Sequence, residues 1–438
     1  MLNRRSPCCL LLTACWLALT LSPAQGGDEP DPTANTAFQN RPVFGTISDR
    51  FEIYNPHSVE HLESIKSLGI QQVVLDWPNL HSQATKLGLD VVIANWWNKD
   101  TQQAEIDERL EFLKGVDRKH LAAVSMMDEP ERYAPDTPFA YYKKIYSELR
   151  AKLKNQSLDT PLEISHWGPL ESWSPENYQA FATLYQAADR IRLMPYPDLD
   201  EGPLDEIFYQ MMRSRYIMKL SGRTIPQLVI LQTWVIPDAP KLPTIKELRV
   251  MTYQAILTGA DTISFFNYDP DVWKRTPGFR NGFRELMSEL TEFTRQHRQR
   301  KVETTMSDSG VLSAVIDVSS HEILKVSINT QRKPIDQFTA LEVKIERLNR
   351  AQPSTPQHSS PAPLVVATTP VQPSNIAVES SSVASLMNPC VQTCAIGGSY
   401  AYGRESDLGM VKCTEYQRQT ACSQPAAKRV FLRRLFRR

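Results

Sequence analysis

The chain has 438 residues, 41% hydrophobic and 22% charged, enough to bury a core larger than one small domain needs. Lysine plus arginine equals aspartate plus glutamate at 49 each, and that balance gives no reason to expect a nucleic-acid partner. Charge is instead uneven along the chain, and so are the cysteines.

Residues 1–24 read as a signal peptide. Arg4 and Arg5 precede the apolar CCLLLTACWLALTL, a run too short for a comfortable membrane span, and Ser22-Pro23-Ala24 supplies small residues for cleavage. A competing reading takes Leu12-Thr13-Ala14-Cys15 as a lipobox, which would make Cys15 a lipid anchor. The apolar run continues past Cys15 and favours cleavage near Ala24. Either route places the mature chain outside the cytoplasm: secreted, periplasmic or at the cell surface.

After a spacer over residues 25–40, strand-like and helix-like segments alternate. PVFGTIS is expected as the first strand, followed by a helix with Val59, Leu62, Ile65 and Leu68 on one face and Gly69 closing it. QQVVLDW, DVVIANWW and LAAVSMMDEP follow as strands two to four, then LEISHW, RIRLMPYP, QLVILQTW and TISFFNYDP, each separated from the next by a helical segment. A last helix runs through FRNGFRELMSELTEFTRQH. Short apolar strands with this rhythm predict an α/β fold, a (β/α)8 TIM barrel over residues 41–299. An open doubly wound sheet would want a glycine-rich phosphate turn after its first strand, and TISDRFEIY has none.

Beyond residue 300 the period changes. GVLSAVIDV, EILKVSIN and TALEVKIERL predict a small β appendage over 300–350. Residues 351–386, rich in Pro, Ser and Thr, read as a disordered linker. Cys390, Cys394, Cys413 and Cys422 mark a cysteine module over 387–427. In an exported chain they suggest two disulfides, with three pairings open. The basic tail, 428–438, interleaves cations with Phe431, Leu432, Leu435 and Phe436. It admits contact with an anionic membrane surface or an acidic polymer, or a solvated terminus.

In such a barrel the C-terminal strand ends face the active site. In order they carry Asp76 and Trp77, then Asn95, Trp96 and Trp97, then Asp128 and Glu129. His166 and Trp167 come next, then Tyr196, Gln232 and Trp234, and finally Tyr268, Asp269 and Asp271. Aromatic rings mixed with carboxylates, amides and a phenol suit a carbohydrate, whose CH-rich face stacks while its hydroxyls need hydrogen bonds. Singly, each has a bland reading: a tryptophan as barrel packing, His166 as a structural histidine, Asp128 as a loop cap. The sequence holds no His-Glu-x-x-His and no Gly-x-Ser-x-Gly, so neither a zinc hydrolase nor an esterase is indicated. No metal and no cofactor is expected.

The Asp128-Glu129-Pro130 motif ending the fourth strand resembles that of the barrel glycoside hydrolases in which Asn-Glu-Pro or Asp-Glu-Pro stands there. The segment IPQLVILQTW through TISFFNYDP looks like the seventh and eighth units of sugar-processing barrels, and the resemblance spans residues 42–299. It implies that Glu129 is the general acid/base, supported by Asp128. It breaks on the seventh strand, where the retaining members place a nucleophilic glutamate and this chain has Gln232. A second carboxylate would then come from Asp76, Asp198, Asp269 or Asp271. The expected activity is cleavage of a glycosidic bond; the alternatives are a glycan-binding or surface-adhesion barrel without catalysis, and a surface-assembly component that uses the barrel as scaffold.

Overall fold

The first strand, β1 (Val43–Thr46), lies outside the barrel, which corrects the expectation for PVFGTIS. It pairs antiparallel with β10 (Lys301–Met306), and the barrel begins one segment later at β2 (Phe51–Tyr54). The reason lies in Glu52. A glutamate inside FEIY breaks the apolar run that marks a buried strand, yet all four residues of β2 are buried.

This computed structural model describes residues 34–75, 80–94, 103–129, 139–167, 175–197, 202–234 and 241–350; the side chains of 103–106, 109, 126–128, 167 and 175–176 are outside the description. They all belong to one compact unit that ends at Pro353. The signal peptide, Cys15, the linker, the four C-terminal cysteines and the basic tail lie outside the described residues.

The other barrel strands are β3 (Gln72–Leu75), β4 (Asp90–Ala94), β5 (Leu121–Asp128), β6 (Leu162–Trp167), β7 (Arg190–Met194), β8 (Gln227–Gln232) and β9 (Thr262–Phe266). Neighbours pair in parallel and β9 returns to β2, closing the (β/α)8 barrel. The outer layer holds α1 (Val59–Ser67), α2 (His81–Lys86), α3 (Gln103–Lys114), α4 (Phe139–Asn155), α5 (Pro175–Tyr185) and α6 (Glu206–Ser221). It continues through α7 (Ile245–Leu257), the short α8 (Pro270–Arg275) and α9 (Phe279–His297). Alternate strand residues such as Ile53, Val73, Val91 and Ile164 face this layer and form the main core with it.

The lumen is filled, not hollow. At its lower level Arg192 of β7 reaches Glu163 on β6 and, across the barrel, both Glu52 and the Tyr54 hydroxyl on β2. Ser264 of β9 donates to Glu52 at 2.7 Å, and Gln72 of β3 donates to it as well. Arg190 pairs with Glu163 at 2.7 Å and with Asp261 at 3.2 Å. Burial pushes the Glu52 carboxyl up, but the Arg192 guanidinium, hydrogen bonds from Arg192 and Ser264, and the charge of Arg190 outweigh it, and its pKa ends below the ordinary 4.5. Above this layer Tyr54, Val74, Val92, Ala94, Ala123, Met194 and Ile230 make an apolar plug.

The appendage is larger than its sequence suggested. β11 (Val311–Asp317), β12 (Glu322–Asn329) and β13 (Val343–Asn349) follow β10 in an antiparallel sheet of five strands with β1 at one edge. β1 comes against the turn before β9 through two glycines. A Cβ on Gly45 would stand 2.9 Å from the Gly259 Cα, and Gly259 has φ +80°. Gly259→Ala meets both the overlap and the left-handed backbone. It should cost roughly 2 kcal/mol or more in urea unfolding, and an unchanged midpoint would show that β1 can move aside.

Candidate active site at the barrel mouth

The plug leaves the C-terminal strand ends as a mouth floored by apolar side chains, with Tyr196 and Phe266 packed against it from above. Three ring contacts make a continuous wall from the sixth barrel strand round to the first. Tyr196 meets Trp234 with centroids 6.5 Å apart, Trp234 meets Phe266 at 6.0 Å, and Phe266 meets Tyr54 at 5.3 Å, all edge to face. Tyr196 and Trp234 were candidates from the sequence; Tyr54 and Phe266 were not. Tyr54 was hidden by the misplaced first strand, whereas Phe266 was readable as an aromatic ending the eighth strand.

Gln232 ends β8 beside this wall, 7% exposed, and its Nε2 donates to the Trp234 carbonyl at 3.3 Å. The Thr233 backbone donates to the Phe266 carbonyl at 2.7 Å, and its hydroxyl donates to the Asn267 carbonyl at 3.2 Å. These bonds lock the seventh and eighth strand ends together.

Glu129 stands across the mouth in strand order, at the end of the fourth barrel strand. β5 arrives there irregularly: its register slips against β4 between Val91 and Val92, and against β6 between Ser125 and Met127. Such bulges bend a strand and re-aim the side chains beyond them. The Asp128 backbone pairs with Ser165, and the Glu129 N–H donates to the Ser165 carbonyl at 3.0 Å. Glu129 is 4% exposed and has φ +46°. That left-handed backbone disfavours any residue with a Cβ.

Other sequence candidates are placed elsewhere. The His166 ring packs on Phe181 at 4.8 Å and Tyr185 at 5.3 Å, in the layer between barrel and α5. Strand alternation explains this, because His166 follows Ser165 and takes the opposite face. The Tyr268 ring is buried between His61, at 5.2 Å, and Trp273, at 5.0 Å, in the outer core. Asp269 caps α8 by accepting from the Val272 N–H at 3.0 Å, and Asp271 lies on that helix's first turn. Asp76, Trp77, Asn95, Trp96, Trp97 and Asp198, and the side chains of Asp128 and Trp167, lie outside the described residues. Among the described residues no group of three or more His, Cys, Asp or Glu could hold a metal ion.

The sheet reaches this end of the barrel through the β12–β13 connection. Arg332 donates from Nε to the Gly202 carbonyl at 2.9 Å and pairs with Glu247 of α7. Glu247 in turn closes a capping box with Thr244, accepting from its N–H at 2.6 Å. The Leu204 N–H donates to the Thr330 carbonyl at 3.0 Å. One arginine thus anchors the ends of the loops that follow the sixth and seventh barrel strands.

No family model matches the chain, and no curated protein does. Solved structures give distant likenesses. A glucosidase from Croceicoccus marinus is 13% identical over 65% of this chain and 75% of its own, with a TM-score of 0.44. A family 51 α-L-arabinofuranosidase from Bifidobacterium longum is 10% identical over 67% and 84%, at 0.45. An endo-β-1,4-mannanase from Thermotoga petrophila is 13% identical over 70% and 91%, at 0.41. Likenesses of this degree give no residue of this chain a role.

The loop anchors make two expectations testable. Arg332→Ala leaves Glu247, 2% exposed, without its charged partner and, among the described residues, with only the Thr244 N–H to hold it. It should cost about 3 kcal/mol in chemical denaturation, with partial recovery in Arg332→Lys. Near Gly202 on the same loop, burial pushes Asp205 from the ordinary 3.8 up to about 6. A carboxyl so raised destabilises the fold once both states are ionised, by on the order of 3 kcal/mol at neutral pH. Asp205→Asn should therefore melt higher than wild type at pH 8, an advantage that fades through pH 6 to 4 and is gone below it.

Proposed function

We propose that the chain is an exported carbohydrate-active hydrolase that uses Glu129 to protonate a glycosidic oxygen. The observation that carries this reading is the backbone of Glu129, buried at the end of a doubly bulged strand with φ +46°. Strain of this kind costs on the order of 1 kcal/mol or more, and it collects where a side chain must be aimed. The partly buried rings of Tyr196, Trp234 and Phe266, with Tyr54 buried beneath them, support a sugar as the occupant, because aromatic rings stack on the CH face of a pyranose.

In this reading the Glu129 carboxyl gives its proton to the leaving oxygen as the bond to the anomeric carbon breaks. Asp128 orients Glu129. Tyr196, Asn95 and Gln232 bind hydroxyls, and Trp96, Trp97, Trp167 and Trp234 stack on rings. Water reaches the anomeric carbon with help from a second carboxylate, for which Asp76, Asp198 and Asp271 remain, since Asp269 already caps α8. A wide gap between the carboxylates gives inversion and a narrow one retention. Export would let Cys390, Cys394, Cys413 and Cys422 form two disulfides, and the basic tail would meet an anionic surface or polymer.

One observation favours a second reading, a glycan-binding barrel without turnover: the seventh strand ends in an amide, and Gln232 spends its Nε2 on the Trp234 carbonyl. Wild type and Glu129→Gln should be incubated with a panel of polysaccharides and assayed for reducing-end release. The variant should lose about 100-fold or more of the activity. Equal rates would remove Glu129 from the mechanism, and binding by both proteins with cleavage by neither would favour the second reading.

A further inference from the structure

The opposite end of the barrel carries a second concave surface. It is a groove of about 960 Å³ formed where the segments before the first, seventh and eighth barrel strands meet the C-terminus of α6. Its lining includes five cations, Arg50, Arg215, Lys219, Arg223 and Arg298, and two carboxylates, Asp49 and Asp261. Asp49 is paired with Arg298 at 3.3 Å. Asp261 serves two arginines, Arg190 from inside the barrel at 3.2 Å and Arg50 from the groove at 3.6 Å. Two of the guanidiniums are held by neutral acceptors. Arg215 donates to Gln227, to the Phe44 carbonyl and to the Thr258 carbonyl, and Arg223 donates to the carbonyls of Tyr185, Gln186 and Ala188. Those contacts fix the cations without discharging them. Burial accordingly pulls Arg215 down to about 10. At the rim, Phe44 is 68% exposed, the largest value among the exposed large hydrophobics of the described residues, and its own carbonyl holds Arg215.

We propose that this groove binds an acidic polysaccharide, a chain of uronic acid units, at a site separate from the mouth. Fixed guanidiniums meet carboxylates with little loss of freedom, and an exposed ring beside them stacks on the CH face of a pyranose. The volume suits a short stretch of sugar units. A concave surface admits a polymer strand and keeps the half-buried Arg215 from a flat bilayer. The lining holds five cations against two carboxylates, and that excess makes binding dependent on salt. The site needs no catalysis at the mouth, so its success or failure is independent of the hydrolase reading.

The test uses the full chain and a fluorescently labelled polygalacturonate oligomer, with the methyl-esterified oligomer as the uncharged control. Anisotropy should show binding of the acid form alone, weakening about tenfold between roughly 50 and 300 mM salt. Lys219→Glu should weaken it at least tenfold and Phe44→Ala several-fold, in proteins that still unfold cooperatively. Equal binding of the esterified oligomer would overturn the proposal, as would affinity indifferent to both substitutions, which would point to the basic tail. Anionic phosphatidylglycerol vesicles competing through the same two residues would overturn the choice of a polysaccharide.

Discussion

Arg192 is the pivot of the barrel. Its guanidinium lies in the lumen and joins β7, β6 and β2, three strands of which two are neighbours and the third lies across the interior. Charges buried this deeply are tolerable only when every partner is in place. Glu52, Glu163, Gln72, Ser264 and Arg190 supply those partners from five strands. The network therefore fixes strand register as well as charge, because a slip of one residue would turn Glu52 out of the lumen and strand the arginine. It also sets the level of the apolar plug, and thereby the depth of the mouth.

The two ends of the barrel are built on different terms. At the mouth the side chains are aromatic and closely packed. Two described residues just past barrel strands have left-handed backbones there: Asn55, of a type that tolerates it, and Glu129, of a type that does not. The loops around the mouth are steadied from outside by Arg332, so the appended sheet acts as a buttress. The underside is open and cationic, and its arginines are pinned by carbonyl oxygens. Asp261 connects the two regimes, since one carboxylate answers both a luminal and an external arginine.

Much of the barrel was legible as alternating apolar strands and amphipathic helices, because strands covered on both faces are apolar throughout. FEIY escaped that rule. Glu52 is buried by virtue of Arg192, 140 residues away, and no local pattern reports such a partner. VFGT looked like a barrel strand because a short apolar run is the same in either sheet. At the mouth, Tyr196, Gln232 and Trp234 were readable from position alone, and the structure brings them together. His166 could have been assigned to the outer face by its alternation with Ser165. The caps were legible in principle, since Asp269-Pro270 and Thr244-x-x-Glu247 are local helix-start signatures. The Arg332 clamp was not, because it acts through neighbours in space that sequence spacing does not reveal.

The pairing of β1 with β10 has a consequence for how the chain is made. Among the described residues β1 is an edge strand with β10 as its single strand neighbour, and Thr46 sits opposite Lys301. A ribosome therefore releases β1 long before its partner exists, and the whole barrel is synthesised in the interval. Contacts of such separation form late, after the intervening chain has ordered. Until then the edge of β1 is unpaired and open to the wrong strand. The final sheet is thus a seal applied to a finished barrel, and a polypeptide cut after α9 would keep the barrel strands while leaving that edge permanently bare.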